Sequence, residues 1–373
     1  LAGSYAVLNS LMKWDELSQR ERSVFERCYK ESQTRLHLRK NAIALIEVSN
    51  VEAGEIRRLD EEQQLRFVVP YGYFADSARI QKVQLIGEDI KDAKLYELAA
   101  KAYQQRFGFG RDRSEVSEHK KLFHLCINPR GGSGSGIPLE VEQEAKTHMV
   151  LAVTDSDVCF PGATPATNSN QVKTKKTVVA LAHQAIVDHV VTDGRSIENL
   201  LPEDVILTAH FLDPSSSSTT EQHLPPEHVT MPHRTLLADK EARRYLDLKA
   251  GLRLRQTQPG SDASEDERRF LEAVAKRLKP EANTDTCRPN GNKKSCDKRD
   301  CDCVVVAGYG NKLLEKVLAH LTHSPEKTLT LTPELERIAR HVAAFGCAAK
   351  PGNANTSILA PRSFAGADPE ASH

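Results

Sequence analysis

Residues 149–157 of the chain, MVLAVTDSD, join an apolar run to two aspartates spaced two residues apart. The run from Met149 to Val153 predicts a buried β-strand that ends just before Asp155. At the carboxyl end of a parallel strand, side chains project into the crevice where α/β folds bind ligands. Carboxylates there suit Mg²⁺, which prefers oxygen ligands and keeps several waters. The alternative is a turn in which Asp155 and Asp157 only cap the backbone.

Strand-like and helix-like segments alternate from Lys82 onward, and this alternation predicts a mostly parallel sheet covered by helices. The predicted strands are residues 82–89, 122–127, 149–157 and 303–310. The predicted helices are residues 90–107, closed by Gly108, residues 139–146 and residues 180–191. Upstream, residues 5–48 predict mainly helix, and residues 64–73 predict a short strand interrupted by Pro70.

These segments divide the chain into five regions. A mainly helical region (1–80) precedes an α/β core (81–209), an insertion (210–303), the completion of the core with a C-terminal helix (304–350) and a flexible tail (351–373). Within the insertion, a capping box at Ser264 and Glu267 marks the start of a helix. The last helix is predicted to open at Thr332-Pro333 and to close at Gly346.

The composition gives little indication of a partner. The chain has 373 residues, and its 51 Lys and Arg balance its 51 Asp and Glu, so attraction to nucleic acid must come from local patches. No apolar stretch reaches the roughly 20 residues needed to span a bilayer, and the first residues lack the pattern of a signal peptide. We therefore expect a cytoplasmic protein without membrane contact.

Three further acidic residues and one lysine are candidates to join the DSD motif (Asp155 to Asp157). Glu88 ends the first predicted strand, and Asp92 lies one turn into the following helix, so both carboxylates point in one direction. Glu198 follows a predicted helix, and Lys312 opens the helix after the last predicted strand. The alternative for Glu88 is a carboxylate that only interacts favourably with the helix dipole, and the alternative for Glu198 and Lys312 is an ordinary surface position.

The loop Gly131 to Gly136, sequence GGSGSG, follows the second predicted strand. Bare backbone N–H groups in such a loop can approach a phosphate. Gly and Ser also form flexible linkers, so a linker is the competing interpretation.

In this order, with strands and helices between them, the motifs resemble the toprim domain shared by topoisomerases, primases and small nucleases. The likeness includes the nuclease half of the overcoming-lysogenization-defect family and its single-domain relatives in bacterial antiphage systems. It covers about residues 82–207 and 304–320. The motifs that carry it are GEDIKDA (87–93), INPRGG (127–132), VTDSD (153–157), RSIENLLP (195–202) and GYGNKLL (308–314).

The resemblance implies an α/β fold with a toprim-like, mostly parallel sheet flanked by helices, to which this chain adds the helical N-terminal region and the insertion. It also implies a metal site. The carboxylates that would hold one or two Mg²⁺ or Mn²⁺ ions are Glu88, Asp92, Asp155, Asp157 and Glu198, and Lys312 would correspond to the late lysine of the family.

The expected function is therefore metal-dependent cleavage of RNA, such as tRNA, or of DNA. The sequence contains no G-x-x-x-x-G-K-[ST] loop, which the ATPase of larger family members requires. By resemblance to two-component defence systems, a separate ABC-type ATPase would regulate this nuclease as a toxic antiphage effector, and a homodimer is also compatible. Two alternatives stay open: a non-catalytic module that binds nucleic acid or a partner, and a primase-like polymerase.

Four of the eight cysteines are crowded into residues 287–303 with the spacing C-x8-C-x4-C-x-C. Thiols surrounded by Lys and Arg favour thiolates, so this segment predicts a structural zinc site in the insertion. Reduced free thiols are the alternative. The predicted zinc ligands are Cys287, Cys296, Cys301 and Cys303.

Two groups of basic residues are candidates for contact with a phosphate backbone. Ordinary solvated faces are the alternative for both. The groups are Lys173, Lys175 and Lys176, which follow the DSD motif, and Arg288, Lys293, Lys294, Lys298 and Arg299, which lie among the cysteines.

Overall fold

The computed structural model shows an α/β fold. It describes residues 44–49, 51–61, 64–107, 123–211, 231–257, 261–278, 304–323 and 329–349, with isolated residues between 13 and 26. The strands are β1 (Ala44–Ser49), β2 (Arg57–Glu61), β3 (Gln64–Pro70), β4 (Val83–Gly87), β5 (Phe123–Leu125), β6 (Ile127–Gly131), β7 (Val150–Thr154), β8 (Val187–Val191), β9 (Gly251–Arg253), β10 (Val304–Ala307) and β11 (Cys347–Ala349). The helices are α1 (Ile90–Phe107), α2 (Ile137–Glu144), α3 (Asn170–Leu181), α4 (Glu203–Phe211), α5 (Met231–Ala238), α6 (Lys240–Tyr245), α7 (Glu265–Leu278), α8 (Leu313–His323) and α9 (Pro333–Phe345).

Four strands form a parallel sheet in the order β6-β4-β7-β8. Leu85 of β4 pairs with Leu151 of β7, and Ala152 of β7 pairs with His189 of β8. Because side chains alternate across a strand, Leu85 and Leu151 join the core on one face, while Ile86 and Ala152 join the core on the other. Burial on both faces explains why the two central strands, β4 and β7, are almost entirely apolar.

Helices cover both faces of this sheet, as the alternation in the sequence predicts. On one face, Ile137 and Val141 of α2 and Val178 of α3 pack into the core. On the other face, α1 packs against α9. The N-terminus of α9 is confirmed by its cap, because the hydroxyl of Thr332 accepts the N–H of Leu335 at 3.2 Å.

A second sheet occupies the region that was expected to be mainly helical. Strand β3 lies between β1, which is parallel to it, and β2, which is antiparallel. The helical expectation is therefore wrong for residues 44–49 and 57–61, which form β1 and β2. The short strand predicted within residues 64–73 is confirmed as β3, which ends at Pro70. Strand β1 contains aliphatic residues that fit a pleated surface, and it pairs along its whole length with β3, which the helical pattern of its own sequence does not show. Residues 1–43 lie largely outside the described residues.

This second sheet is attached to the edge of the parallel sheet. Phe67 and Val69 of β3 pack against Ile186, which precedes β8. Arg58 of β2 reaches the buried Asp188 of β8, with 2.8 Å between Nη2 and Oδ1. Burial raises the pKa of Asp188, and the charge of Arg58 opposes this shift. The ion pair therefore helps to keep a buried carboxylate ionised between the two sheets.

Several boundaries of the core differ from the predicted ones. Residues 180–191 are not one helix: α3 ends at Leu181, and after a turn the chain forms strand β8. A short apolar run in a buried strand has the same appearance as a buried helix, so its periodicity does not distinguish the two. The predicted strand 122–127 is split, because β5 pairs with β11 while β6 continues to Gly131 and joins the parallel sheet.

The completion of the core also differs from expectation. Strand β10 lies in the predicted strand 303–310, but it pairs antiparallel with β9 and does not extend the parallel sheet. Within the insertion, the capping box of α7 is supported by the N–H of Glu267, which donates to Ser264 Oγ at 3.2 Å. The predicted zinc ligands Cys287, Cys296, Cys301 and Cys303, the basic residues among them and the tail 351–373 lie outside the described residues.

We expect Arg58→Ala to lower the free energy of unfolding by about 2 kcal/mol, because it leaves the buried carboxylate of Asp188 without its cation. Arg57→Ala is the matched control, since Arg57 is the exposed neighbour on the same strand. Urea denaturation of both variants at pH 7 measures the difference. Equal stability of the two variants would show that the ion pair does not hold the sheets together.

Candidate functional site

Acidic side chains meet at the carboxyl edge of the parallel sheet. Because β4, β7 and β8 run in the same direction, the residues that follow them lie along one edge. Glu88 follows β4, Asp155 follows β7, and Glu198 lies in a short 3₁₀ helix (Ile197–Leu200) after β8. Asp92 adds a carboxylate from the first turn of α1.

Glu88 is bonded directly to the loop that carries the DSD motif. Its Oε1 accepts the N–H of Asp155 at 3.2 Å, and its Oε2 accepts the side-chain amide of Asn170 at 3.2 Å. Asn170 is the first residue of α3. The ends of two strands and the start of a helix therefore converge on one carboxylate, and Glu88 and Asp155 lie side by side.

The glycine loop after β6 holds the backbone at Glu88. The N–H of Gly132 donates to the carbonyl of Gly87 at 2.8 Å, and the N–H of Gly134 donates to the carbonyl of Glu88 at 2.9 Å. A Cβ on Gly132 would lie 2.3 Å from Cγ1 of Ile137, so the start of the loop is closely packed against α2. The N–H groups of Gly132 and Gly134, which were candidates to bind phosphate, therefore donate to carbonyl groups of the protein itself.

We expect Gly132→Ala to lower the free energy of unfolding by about 1–3 kcal/mol, because the added methyl group forces the loop away from α2. Gly136→Ala is the matched control: it lies in the same loop, its backbone is already in the right-handed helical region, and a Cβ there meets no atom within 4 Å. Thermal and urea denaturation compare the two. If both variants match the wild type, the loop has no packing role.

The two aspartates of the DSD motif occupy different surroundings. Asp155 is half-buried, and burial together with the charges of Glu88 and Asp92 raises its pKa well above its ordinary value. Asp157 is exposed and has a left-handed backbone, with φ of 53°. This conformation costs a non-glycine residue on the order of 1 kcal/mol. The N–H of Asp157 donates to the carbonyl of Arg195 at 3.1 Å, which helps to hold it.

Asp92 and Glu198 are the buried members of the cluster. Asp92 is 9% exposed, and its Oδ2 accepts the N–H of Asp89 at 2.8 Å. Burial, and to a lesser degree the charge of Glu198, raises the pKa of Asp92 to about 7. Glu198 is 2% exposed, and its Oε2 has no hydrogen-bond partner among the described residues. A buried carboxylate oxygen without a partner is costly, and a bound cation would remove that cost.

Lys249, which was not among the predicted site residues, lies at this cluster. Its Nζ lies 3.0 Å from Oε1 of Glu198. Burial lowers the pKa of Lys249, but the charges of Glu198 and Asp155 outweigh burial, and the pKa is raised. Lys312 is exposed just before α8, where its charge acts on Glu315.

The segment Gly308-Tyr309-Gly310, which the toprim resemblance singles out, holds the turn that carries Lys249. The N–H of Tyr309 donates to the carbonyl of Leu248 at 2.8 Å, and the N–H of Gly310 donates to the carbonyl of Lys249 at 3.0 Å. A Cβ on Gly308 would lie 2.1 Å from that same Lys249 carbonyl oxygen. Only glycine permits this approach, so the segment serves the site by positioning a lysine from another region.

Asn170 and Lys249 are two residues at the site that carried no recognisable signal in the sequence. Asn170 and Lys249 reach Glu88 and Glu198 through tertiary contacts, and neither belongs to a motif. The start of α3 did have a local signal, because Ser169 caps the helix by accepting the N–H of Val172 at 3.4 Å. The lysines that follow on α3 are exposed, namely Lys173, Lys175 and Lys176.

The chemistry of the cluster suits a divalent cation. Each of the five acidic residues offers carboxylate oxygens, which Mg²⁺ and Mn²⁺ prefer. Burial and neighbouring negative charges raise the pKa of Glu88, Asp92 and Asp155, so the ionised forms lack a balancing charge. Within the described residues, no three carboxylate, imidazole or thiolate groups converge closely enough to form a ready-made metal site.

Comparisons with known proteins do not assign the chain to a family. No protein-family model, curated protein or solved structure matches it. None of the helices in the described ranges is both long enough and apolar enough to cross a bilayer.

We expect Asp92→Asn to stabilise the metal-free protein at pH 8 by about 1–4 kcal/mol and to have little effect near pH 4. The pKa of Asp92 is about 7 in the folded chain and 3.8 as an ordinary value. The unfolded chain therefore releases this proton first, and the free energy of unfolding falls as the pH rises from about 4 to 7. Asparagine keeps an acceptor for the N–H of Asp89 but does not ionise.

Urea denaturation in EDTA between pH 4 and pH 8 checks this expectation. Glu142→Gln, at an exposed position on α2, is the control for removal of a carboxylate outside the cluster. A lower stability of the Asp92 variant than of the wild type at pH 8 would show that the ionised carboxylate is not under electrostatic strain.

Proposed function

We propose that this chain is a toprim-like nuclease that uses Mg²⁺ or Mn²⁺ to cleave phosphodiester bonds in RNA or DNA. Its main support is the meeting of four carboxylates at one edge of the parallel sheet, with a half-buried lysine beside them. Buried like charges oppose one another, and they are stabilised when a divalent cation binds among them. The carboxylates that would hold one or two ions are Glu88, Asp92, Asp155, Asp157 and Glu198.

A divalent ion bound here would polarise a phosphate oxygen and lower the pKa of a water molecule, which are the requirements of phosphodiester hydrolysis. The residues of the chain contribute orientation and charge. Asn170 fixes one oxygen of Glu88, which leaves the carboxylate in a defined rotamer. Lys249 is 37% exposed, so its ammonium group can also donate to a phosphate oxygen at the surface of the cluster.

The surface beside the cluster suits a nucleic-acid backbone. Helix α3 starts at the site with Asn170, and its next two turns carry the exposed Lys173, Lys175 and Lys176. Exposed lysines attract phosphates without reading the base sequence. A substrate strand that crosses the cluster would therefore meet positive charge on the α3 side.

We expect Glu88→Gln and Asp155→Asn each to lower the rate of cleavage by about 1,000-fold, which corresponds to about 4 kcal/mol of transition-state stabilisation. Both changes keep the shape of the side chain and remove one negative charge from the cluster. Glu142→Gln is the control, because it removes an exposed carboxylate from α2. Cleavage of tRNA, single-stranded DNA and double-stranded DNA is measured with Mg²⁺, with Mn²⁺ and with EDTA.

Two outcomes of that experiment would contradict the site assignment. One is metal-dependent cleavage at the wild-type rate by both site variants. The other is cleavage by the wild type in EDTA at the rate seen with Mg²⁺. Melting temperatures of all variants are compared first, so that loss of cleavage is not confused with unfolding.

A non-catalytic binding module is the second candidate, and one observation favours it. Within the described part of the chain, the acidic groups do not converge into a ready-made metal site. Such a module would bind nucleic acid through the lysines of α3 and release no product. Binding of tRNA or DNA by the wild type without cleavage on any substrate would favour this candidate over the nuclease.

A role as the effector of an antiphage system, regulated by a separate ABC-type ATPase, is proposed on the resemblance alone. The same resemblance suggests the ATPase as the first partner to add if the isolated chain is inactive. Cleavage that appears only in the presence of that partner would support both proposals.

A further inference from the structure

Ser156, the middle residue of the DSD motif, bridges two loops at the candidate site. It is 6% exposed, and its hydroxyl donates to the carbonyl of Gly194 at 2.7 Å. Its N–H donates to the hydroxyl of Thr192 at 3.0 Å, and that hydroxyl in turn donates to the same Gly194 carbonyl at 2.7 Å. The hydroxyls of Ser156 and Thr192 therefore both donate to the carbonyl oxygen of Gly194.

Further bonds join the same two loops. The N–H of Thr192 donates to the carbonyl of Thr154 at 3.0 Å, and the N–H of Asp157 donates to the carbonyl of Arg195 at 3.1 Å. The hydroxyl of Ser156 also accepts the N–H of Val158 at 3.3 Å. These bonds surround Asp157, whose left-handed backbone is unfavourable for a residue with a side chain.

The bridge continues from Gly194 toward Glu198 and Lys249. A Cβ on Gly194 would lie 2.8 Å from Cβ of Asn199, so the two residues are in close contact. The side-chain amide of Asn199 donates to the carbonyl of Leu246 at 2.8 Å, three residues before Lys249. The loop that carries Gly194 therefore contacts Asn199, the neighbour of Glu198, and Asn199 in turn holds the backbone just before Lys249.

We propose that Ser156 is a positioning residue, whose hydroxyl sets the place of Asp155 and Asp157 relative to Glu198. This inference rests on the proposed metal-dependent function. Ser156 lies within the cluster but offers its hydroxyl to the protein, so it acts through its neighbours. Removal of this hydroxyl leaves the bond from Thr192 to Gly194 in place, and therefore the fold survives while the DSD loop loosens.

The test compares Ser156→Ala with two changes of its partner in the full-length chain. Thr192→Val removes the two bonds that the Thr192 hydroxyl makes to Ser156 and Gly194, with nearly unchanged volume. Thr192→Ser keeps that hydroxyl as the conservative control. The affinity for Mn²⁺ alone is measured by calorimetry, amide hydrogen exchange reports on the DSD loop, and cleavage is separated into kcat and KM.

Ser156→Ala and Thr192→Val are each expected to weaken Mn²⁺ binding about tenfold, to speed amide exchange at residues 155–158 at least tenfold and to lower kcat with little change in KM. Thr192→Ser is expected to behave as the wild type, and all three variants are expected to melt within a few degrees of it. If Ser156→Ala does not fold, the comparison of Thr192→Val with Thr192→Ser tests whether the hydrogen bonds between the two loops position the DSD motif.

Unchanged Mn²⁺ affinity, exchange and kcat in folded Ser156→Ala, or a Thr192→Ser variant as impaired as Thr192→Val, would overturn the positioning role. Failure of the underlying function gives a different result. In that case the wild type itself neither binds Mn²⁺ nor cleaves any substrate, while the exchange rates still show whether the bridge holds the loop.

Discussion

Repulsion among carboxylates at the ends of parallel strands is the constraint on which the candidate site depends. Parallel strands place the residues that follow them along one edge, and here those residues include Glu88 and Asp155. Burial strengthens the repulsion, because the low-dielectric interior screens charge poorly. The ion pair between Lys249 and Glu198 offsets part of this repulsion. The surrounding protein must therefore be rigid enough to keep like charges together, and close-packed glycines and buried hydrogen bonds provide that rigidity.

Much of the core was predictable because its signals are local. The apolar run before Asp155 predicts a strand, and β7 ends where the run ends. The amphipathic pattern after Glu88 predicts α1, and the Thr-Pro pair predicts the start of α9. Each of these signals depends on side-chain periodicity or on a cap within a few residues, so distant contacts do not alter it.

The other elements and the lysine at the site were not predictable from the sequence, because tertiary contacts determine their structure and position. Strand β8 is too short, and too mixed in polarity at Asp188 and His189, for its sequence to distinguish a strand from a helix, and its pairing with β7 is a tertiary contact. The helix expected near residues 44–49 is a strand because β3 lies beside it. Lys249 reaches the cluster only because Gly308 packs on its backbone, and nothing in its own sequence neighbourhood indicates this. Lys312 is the lysine that the motif indicates, and it lies exposed just before α8, where its charge acts on Glu315.

The dependence of Lys249 on the segment Gly308 to Gly310 has a consequence during protein synthesis. The acidic residues at positions 88 and 155 leave the ribosome long before this glycine segment does. Until it emerges, the turn that carries the lysine has no backbone partner, and the acidic cluster lacks its built-in counter-ion. A nascent chain that stops before Gly308 therefore holds the acidic residues without the contacts that fix the lysine turn, and the cluster is completed only after synthesis has passed Gly310.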